Sequence, residues 1–286
     1  MSDTQSDFDR VRGEQREFWN KAAPGWKVMW TSLDSAGQPV SDRLVELARI
    51  KPGDRVLDIA TGSGEPGITA ARKVGASGLV IATDQSPAML DLARERAAAL
   101  GLRNIRFVET GAESLDIEER NFDAAICRWG LMFVPGLDAV PRRVAQLLKP
   151  GATFATSVWG PPAKVPLIST GDDEVRALTN LPAPPPDAPS PVKLADTRPL
   201  EKALASAGFK DIRVEPINVR FEFDSPEAFT AQRRAMSMPF RMMLEKQTPE
   251  LQRKILEAMS NAARKFADSS GKVTMDNQAI CVWAHL

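Results

Sequence analysis

The chain has 286 residues, which is enough for one large α/β domain with insertions or for two small domains. Its 37 basic and 37 acidic residues balance, which argues against the broad positive surface of a nucleic-acid-binding protein. No stretch approaches the roughly 18 apolar residues of a membrane span, and the polar start of the chain is unlike a secretion signal. We therefore expect a cytoplasmic protein without a metal site, in which Cys127 and Cys281 are buried reduced thiols.

Two absences restrict the chemistry. The chain has no tyrosine, and its single histidine, His285, is one residue from the end. A mechanism that needs a tyrosine acid or an internal histidine base is therefore excluded unless it uses His285.

Tryptophans are dense in the N-terminal region. Residues 7–20 have helical spacing, and Trp19, Trp26 and Trp30 crowd the same part of the chain, where they must cover something apolar. They form either a flap fixed on the core or a lid over cofactor and substrate. A second helix is predicted over residues 41–50.

The stretch around which the chain is organised comes next. An apolar run over residues 56–59 predicts a buried parallel strand, and Gly62, Gly64 and Gly67 follow it in a tight turn. A helical pattern opens behind the turn, so helix N–H groups point back at whatever the turn holds. With Asp84 about twenty residues further on, the spacing matches the dinucleotide-binding fingerprint, but the motif alone does not name the ligand.

Asp58 distinguishes between the possible ligands. It is a carboxylate near the C-terminal end of a strand that is otherwise apolar. A pyrophosphate beside it would be repelled, whereas a ligand with a cationic end and no phosphate would be favoured, as in S-adenosylmethionine. The alternative is that Asp58 only accepts hydrogen bonds from loop amides and has no ligand role.

Strands and helices alternate through the first part of the chain, which is typical of a doubly wound parallel sheet. We predict an α/β, Rossmann-like fold with a mostly parallel seven-stranded sheet, a helical N-terminal lid and a helical insertion before the last strand. Its ligand should lie beyond the carboxyl ends of the strands. The predicted strands cover residues 56–59, 79–83, 105–109, 122–127, 153–159, 212–223 and 278–285.

The texture changes after Gly160. The proline-rich segment 181–191 is predicted to be extended and mobile. We divide the chain into a lid, a Rossmann-like core in two pieces and a helical cap; these are residues 1–50, 51–224 plus 274–286, and 225–273.

Five motifs follow one another along the predicted core; they are Asp58–Gly64, Asp84–Met89, Ala112–Glu113, Phe122–Trp129 and Leu148–Gly151. In this order and spacing they resemble the class I S-adenosylmethionine-dependent methyltransferases, and most closely the ubiquinone/menaquinone-biosynthesis branch that acts on small molecules. The resemblance covers residues 50–160, a little over a third of the chain, and implies S-adenosylmethionine as the cofactor.

The resemblance also implies roles. Asp84 would bind both ribose hydroxyls, Asp58 would act near the ammonium, and Met89 would pack on the adenine. Where the family usually has an aspartate, this chain has Gly111, so the bond to the adenine amino group is in doubt or passes to Glu113 or water. The implied cofactor residues are Asp58, Ala60, Gly62, Gly64, Asp84, Gln85, Met89, Ala112 (through its N–H), Glu113 and Arg128 (through its carbonyl).

An apolar floor is expected for the substrate. The strand before Trp129 lacks the Asn/Asp-Pro-Pro-aromatic motif of nucleobase methylases. We therefore expect methyl transfer, by direct displacement, to carbon or oxygen of a small, largely apolar acceptor that ionises readily. Glu113, Asp123 or a water could assist, no catalytic residue is assigned, and an oligomer is possible. The expected substrate contacts are Trp26, Trp129, Met132 and Phe133, and methionines 236, 238, 242 and 243 of the cap could adapt to apolar ligands.

Two rival functions stay open. The glycine spacing also permits a nicotinamide-dependent oxidoreductase, although Asp58 and the lack of tyrosine disfavour it. Because Gly111 departs from the family and no base is evident, a non-catalytic adenosylmethionine-binding regulator is the second rival.

Overall fold

The structure, a computed structural model, describes residues 3–180 and 190–286, and only the backbone of residues 3–9 and 28–34. The expectation for residues 181–189 and the side chain of Trp30 lie outside the described part. Seven strands form one sheet in the order β3-β2-β1-β4-β5-β7-β6. They are β1 Arg55–Ile59, β2 Leu79–Asp84, β3 Ile105–Glu109, β4 Phe122–Arg128, β5 Leu148–Trp159, β6 Lys210–Phe223 and β7 Val273–His285.

The sheet confirms the predicted doubly wound fold. Strands β1 to β5 pair in parallel, and β7 runs antiparallel to both β5 and β6. Strand β1 lies between β2 and β4, so the chain adds β2 and β3 on one side of β1 and the later strands on the other side. Right-handed crossovers therefore place the helices that follow β1 and β4 on opposite faces. The cleft between β1 and β4 is the switch point at which such folds bind ligands.

The helices divide into a sheet-covering set and a cap. Helix α1 contacts α2 and α3, whereas α4 contacts α7. The short helices α5 and α6 follow β5, and α8, α9 and α10 lie between β6 and β7. The bounds are α1 Asp3–Leu47, α2 Gly67–Val74, α3 Pro87–Ala99, α4 Ala139–Leu147, α5 Pro166–Ser169, α6 Asp172–Thr179, α7 Arg198–Ser206, α8 Pro226–Met236, α9 Met238–Glu245 and α10 Pro249–Ala263.

Helix α1 corrects the prediction of two N-terminal helices. It is a single helix of 45 residues that contains Pro24 and Pro39. Packing stabilises it on both sides of the prolines, because Ala22 and Ala23 are buried in one half and Leu44 in the other. Its last turns belong to the main hydrophobic core; the division of the chain at residue 50 stays a prediction.

The last strand is longer than predicted and reaches beyond the carboxyl edge. Trp159 at the end of β5 pairs with Ala279, whereas the β6–β7 ribbon continues to the pair Phe223–Val273. Residues 273–277 of β7, which precede the strand predicted from residue 278, therefore extend the ribbon about 20 Å beyond β5. The segment after β5 joins this cap, because Asp172 Oδ1 of α6 lies 3.0 Å from Arg233 Nη2 of α8.

None of the helices in the described part is long and apolar enough to cross a membrane.

Candidate functional site

The turn after β1 requires glycine at two positions. Gly62 and Gly64 have φ values of 55° and 110°, in the range that favours glycine. A Cβ on Gly64 would also lie 2.7 Å from Cδ1 of Ile68. A Cβ on Gly62, by contrast, would meet nothing within 4 Å. The backbone at Gly62 is thus free to approach a ligand, as the motif predicts.

Asp84 connects this turn to the start of α3. Its Oδ2 accepts a hydrogen bond from Gly62 N and its Oδ1 accepts one from Ser86 N, both at 2.9 Å. Burial raises its pKa to about 6, although the amide hydrogen bonds oppose the shift. Because a carboxylate oxygen can accept more than one hydrogen bond, both oxygens keep lone pairs for two neighbouring hydroxyls.

Asp58 is a buried carboxylate without a hydrogen-bond partner. It is fully buried, and neither oxygen accepts a hydrogen bond within the described residues. A Cβ on Gly67 would lie 2.5 Å from Oδ2, so only glycine leaves room for the carboxylate there. Burial raises the pKa of Asp58 to about 8; the Thr61 hydroxyl and the Gly67 N–H, which lie near the carboxylate but outside hydrogen-bond geometry, oppose the shift in part. The arrangement fits a cationic ligand group better than a role confined to loop amides.

Sequence reasoning missed the cation that holds the glycine turn. Arg96 of α3 is only 9% exposed. It donates hydrogen bonds to the backbone carbonyl of Ser63 and, at 3.3 Å, to its hydroxyl, and it lies 3.9 Å from Glu65. Glu65 accepts a hydrogen bond from the Thr69 hydroxyl at 2.7 Å. The only signal was that Arg96 falls on the apolar side of its helix, next to the buried Ala93 and Ala97.

Helix α1 covers the start of α3. Asn20, which sequence reasoning also missed, accepts a hydrogen bond from the Ser86 hydroxyl at 2.7 Å. Met89 is 2% exposed and packs with Ala22 and Ala23 of α1. We expected the Met89 side chain to pack on the adenine; in the structure it is buried between α3 and α1. Gln85 is half-buried between these groups.

The turn after β3 lies beside Asp84. The backbone N–H of Thr110 donates to the carbonyl of Asp84 at 3.0 Å. Ala112 is buried, and the side chain of Glu113 is 18% exposed. The structure thus brings Ala112 and Glu113 next to the acid expected to bind ribose.

At the end of β4, Arg128 and Trp129 are held from several sides. Arg128 Nη1 donates to Ser41 Oγ at 2.8 Å and to the carbonyl of Gly37 at 3.3 Å, both on α1. Trp129 has a φ of 56°, which strains a bulky residue. It stacks on Trp159 with ring centroids 4.3 Å apart. The Arg128 cation is thus held by α1, and Trp159 is a neighbour of the expected substrate residue Trp129 that the sequence did not indicate.

The other expected substrate residues separate into two groups. Trp19 packs edge-on against Phe133 and Trp26, with centroids 5.1 and 6.0 Å apart. Met132 is 1% exposed and belongs to the main core. Ala60 directly follows β1 and has a φ of 54°. A Cβ on Gly130 would lie 2.6 Å from the Cβ of Ala60.

Two groups considered for proton transfer lie at the wrong edge. His285 ends β7, where its Nδ1 lies 2.9 Å from the Thr153 hydroxyl. Asp123 is at the start of β4 and accepts a hydrogen bond from Arg55 N at 2.9 Å. Thr153 lies six residues before Trp159, the last residue of β5. His285 and Asp123 are at the level of Thr153, so both are about 20 Å from the carboxyl edge. Neither can act on a substrate bound there. Among the side chains that the structure describes, those of residues 10–27, 35–180 and 190–286, no group is arranged to hold a metal ion.

Comparison with known proteins identifies the family of this site. Residues 56–151 match the family model described as a methyltransferase domain. The chain is 40% identical over 112 residues to the 2-phytyl-1,4-naphtoquinone methyltransferase of Synechococcus elongatus, covering 39% of this chain and 48% of that protein. It is 38% identical over 108 residues to a ubiquinone/menaquinone biosynthesis C-methyltransferase of Pseudomonas putida, covering 37% of this chain and 42% of that protein. The chain thus spans about half the length of these relatives or less.

The fold agrees with that match. A phosphoethanolamine N-methyltransferase of Haemonchus contortus, solved with S-adenosylhomocysteine, superposes with a TM-score of 0.57 at 18% identity, covering 94% of this chain and 59% of that one. At this identity the likeness shows the fold alone. Residues 56–151 are therefore a methyltransferase domain. Its fold is that of the S-adenosylmethionine-dependent methyltransferases, and in sequence it is similar to the quinone methyltransferases.

Proposed function

We propose that the protein transfers a methyl group from S-adenosylmethionine to carbon or oxygen of a small, largely apolar acceptor. The observation that carries this proposal is the buried Asp58 carboxylate, which has no hydrogen-bond partner beneath the glycine turn. A ligand whose nearest end is a cation supplies what this carboxylate lacks.

The residues present fit the cofactor. Asp84 presents acceptor lone pairs to the two ribose hydroxyls, and Gly62 leaves room for the methionine part. When bound, the cofactor supplies an activated methyl group on a sulfonium, which leaves as a neutral thioether. The protein's own contribution is alignment of the acceptor and exclusion of water, for which Trp19, Trp26 and Phe133 form an aromatic cover.

The acceptor must lose its proton readily. The chain has no tyrosine, and its one histidine lies at the opposite edge of the sheet. An enol, a phenol or a carboxylate needs little help from a protein base. The names of the quinone-methyltransferase relatives support a flat, apolar ring as the acceptor. Aromatic side chains around the switch point suit such a ring.

The acids beneath the turn argue against a nicotinamide-dependent oxidoreductase. Asp58 and Glu65 are both buried there. A pyrophosphate bound at the start of α2 would bring negative charge close to them. Because Arg96 lies 3.9 Å from Glu65 and offsets its charge, the argument rests mainly on Asp58.

Calorimetry tests the choice of cofactor. We expect S-adenosylhomocysteine to bind and NAD to bind negligibly; tighter binding of NAD would end the methyltransferase proposal. The next experiment incubates the protein with methyl-labelled S-adenosylmethionine and a panel of quinols, phenols and carboxylic acids. Labelled product identifies the acceptor class. Binding of the cofactor without transfer to any acceptor in a metabolite extract would favour the non-catalytic regulator.

A further inference from the structure

Gly111 and Glu113 share one space in the turn after β3. A Cβ on Gly111 would lie 2.8 Å from Oε1 and 3.0 Å from Oε2 of Glu113. Real Cβ atoms are not found that close to a carboxylate, so the Glu113 side chain fills the position that a side chain on residue 111 would occupy. The space left by the missing side chain of Gly111 is thus occupied by the carboxylate of Glu113.

That carboxylate lacks a hydrogen-bond donor. Oε1 of Glu113 is buried and accepts no hydrogen bond within the described residues. The guanidinium of Arg12 on α1 lies beside it, with Nη1 3.8 Å from Oε1, which is beyond hydrogen-bond distance. A buried carboxylate oxygen without a donor destabilises the protein unless a ligand supplies one.

The turn also lies where a nucleoside would present its base. Glu109 pairs with Asp84 in the sheet, and the next amide, Thr110 N, donates to the carbonyl of Asp84 at 3.0 Å. Glu113 is therefore in the loop bonded to the residue assigned to the ribose. A ribose held by Asp84 has its base directed to one side of this strand end, and an exocyclic amino group is the donor that Glu113 needs.

We propose that Glu113 accepts the hydrogen bond from the 6-amino group of the cofactor's adenine, in place of a side chain on residue 111. The assignment rests on the proposed function. It makes Glu113 the residue by which this chain selects a 6-amino purine, and it connects the adenine to Arg12 on α1 through one carboxylate.

A cycle of one protein change and one ligand change tests this role. Calorimetry compares S-adenosylhomocysteine with its 6-desamino analogue, in which hydrogen replaces the amino group and N1 is kept. We expect the unaltered protein to bind the amino compound about 10- to 100-fold more tightly, the range of a hydrogen bond to a charged group. Glu113→Ala should reduce that ratio to within about threefold of unity.

Two matched variants control for damage to helix α1. Glu109→Ala removes the partner of Arg16, an exposed α1 ion pair at the same strand end, and should keep the ratio. Arg12→Ala removes the cation beside Glu113 and should also keep it. A ratio retained by Glu113→Ala would overturn the proposal, as would equal binding of the two compounds by the unaltered protein.

Moving the carboxylate supplies the rescue. Gly111→Asp alone should weaken S-adenosylhomocysteine binding, because two carboxylates then compete for one space. Combined with Glu113→Ala, it should restore the preference for the amino compound; failure to restore it counts against the shared position. A protein that binds neither compound would overturn the proposed function itself, whereas equal binding of both overturns only the role of Glu113.

Discussion

The two edges of the parallel sheet treat their polar groups differently. At the amino edge, Asp123 accepts a hydrogen bond from Arg55 N at 2.9 Å and forms an ion pair with Lys149. Thr153 and His285 are paired there at 2.9 Å. Every one of these groups has a partner from a neighbouring strand or loop, which is what a structural role requires.

The carboxyl edge leaves buried polar groups unsatisfied. Asp58 and the indole N–H of Trp129 are buried there without hydrogen-bond partners among the described residues. Positive φ values do not distinguish the edges, because Asn121 before β4 has one as well as Ala60 and Trp129. The difference lies in the polar groups, which have partners at the amino edge and lack them where a ligand can supply them. The contrast predicts that changes at the carboxyl edge affect function first, and changes at the amino edge affect stability alone.

The largest effect is expected at Asp84. Asp84→Ala should weaken S-adenosylhomocysteine binding by about 1.5–3 kcal/mol, the scale of hydrogen bonds to a charged group. The melting temperature without ligand should change little, because relief from burying the carboxylate offsets the loss of the bonds from Gly62 and Ser86. Asp84→Asn, which keeps one acceptor oxygen, is the matched control and should lose less. Normal binding by Asp84→Ala would reduce the residue to a support for the start of α3.

Asp58 gives a pH dependence with a definite sign. Its pKa is raised by burial from 3.8 to about 8, so the folded protein holds a proton that the unfolded chain has lost. The contribution of Asp58 to the free energy of unfolding should therefore be fully present below about pH 4 and be lost as the pH rises from there through about 8. Asp58→Asn removes this titration, and we expect the ligand-free variant to be more stable than the unaltered protein at pH 9 by about 1–3 kcal/mol.

Calorimetric melting from pH 5 to pH 9 measures the Asp58 effect. The variant should show a flatter dependence and weaker cofactor binding, because a bound cation favours the ionised form of Asp58 and displaces its proton, whereas an amide cannot ionise. Equal slopes for the two proteins, or a variant that loses stability at high pH, would mean that Asp58 has a partner in solution.

The aromatic cover offers a smaller effect with a matched control. Trp26→Ala should reduce the rate of methyl transfer about tenfold, which corresponds to about 1.4 kcal/mol of activation free energy. The loss of stability, measured by the melting temperature, should be smaller than this loss of activity. Trp283, equally half-buried but near the amino edge, is the control, and Trp283→Ala should reduce stability while leaving transfer unchanged. Hydrogen exchange should show added protection of residues 15–27 when S-adenosylhomocysteine binds. Equal protection in both states would make the tryptophans fixed core, and the lid would fail.

The predictable parts of the site are local in sequence. The strand, glycine turn and Asp84 follow one another within about thirty residues, and each is dictated by short-range chemistry such as positive φ values. The stacking of Trp129 on Trp159 and the bond from Arg96 to Ser63 join residues about thirty positions apart, and neither pair shares a periodic pattern. Such pairings are decided by packing, which a single sequence does not encode locally.

Helix α1 shows the same limit in the fold. Pro24 and Pro39 indicate breaks, and the apolar residues that override them pack on α3 and on the sheet, far away in sequence. The start of β7 at Val273 was likewise hidden, because its alternating pattern continues a ribbon with β6 that has no sequence marker of its own. The fold class, by contrast, follows from the alternation of strands and helices along the chain.

The smallest effect should come from Asp123, and it tests the amino edge directly. Burial alone would raise the pKa of Asp123, but the hydrogen bonds from Lys149 and Arg55 outweigh it and hold the pKa below the ordinary value. Its contribution is therefore present at neutral pH and lost as the pH falls below about 4. Asp123→Ala should reduce the free energy of unfolding by up to about 1 kcal/mol at pH 7, with the difference vanishing in acid. Methyl transfer and cofactor binding should be unchanged, and His285→Ala should behave likewise; a loss of transfer in either variant would mean that the two edges are not separated in function.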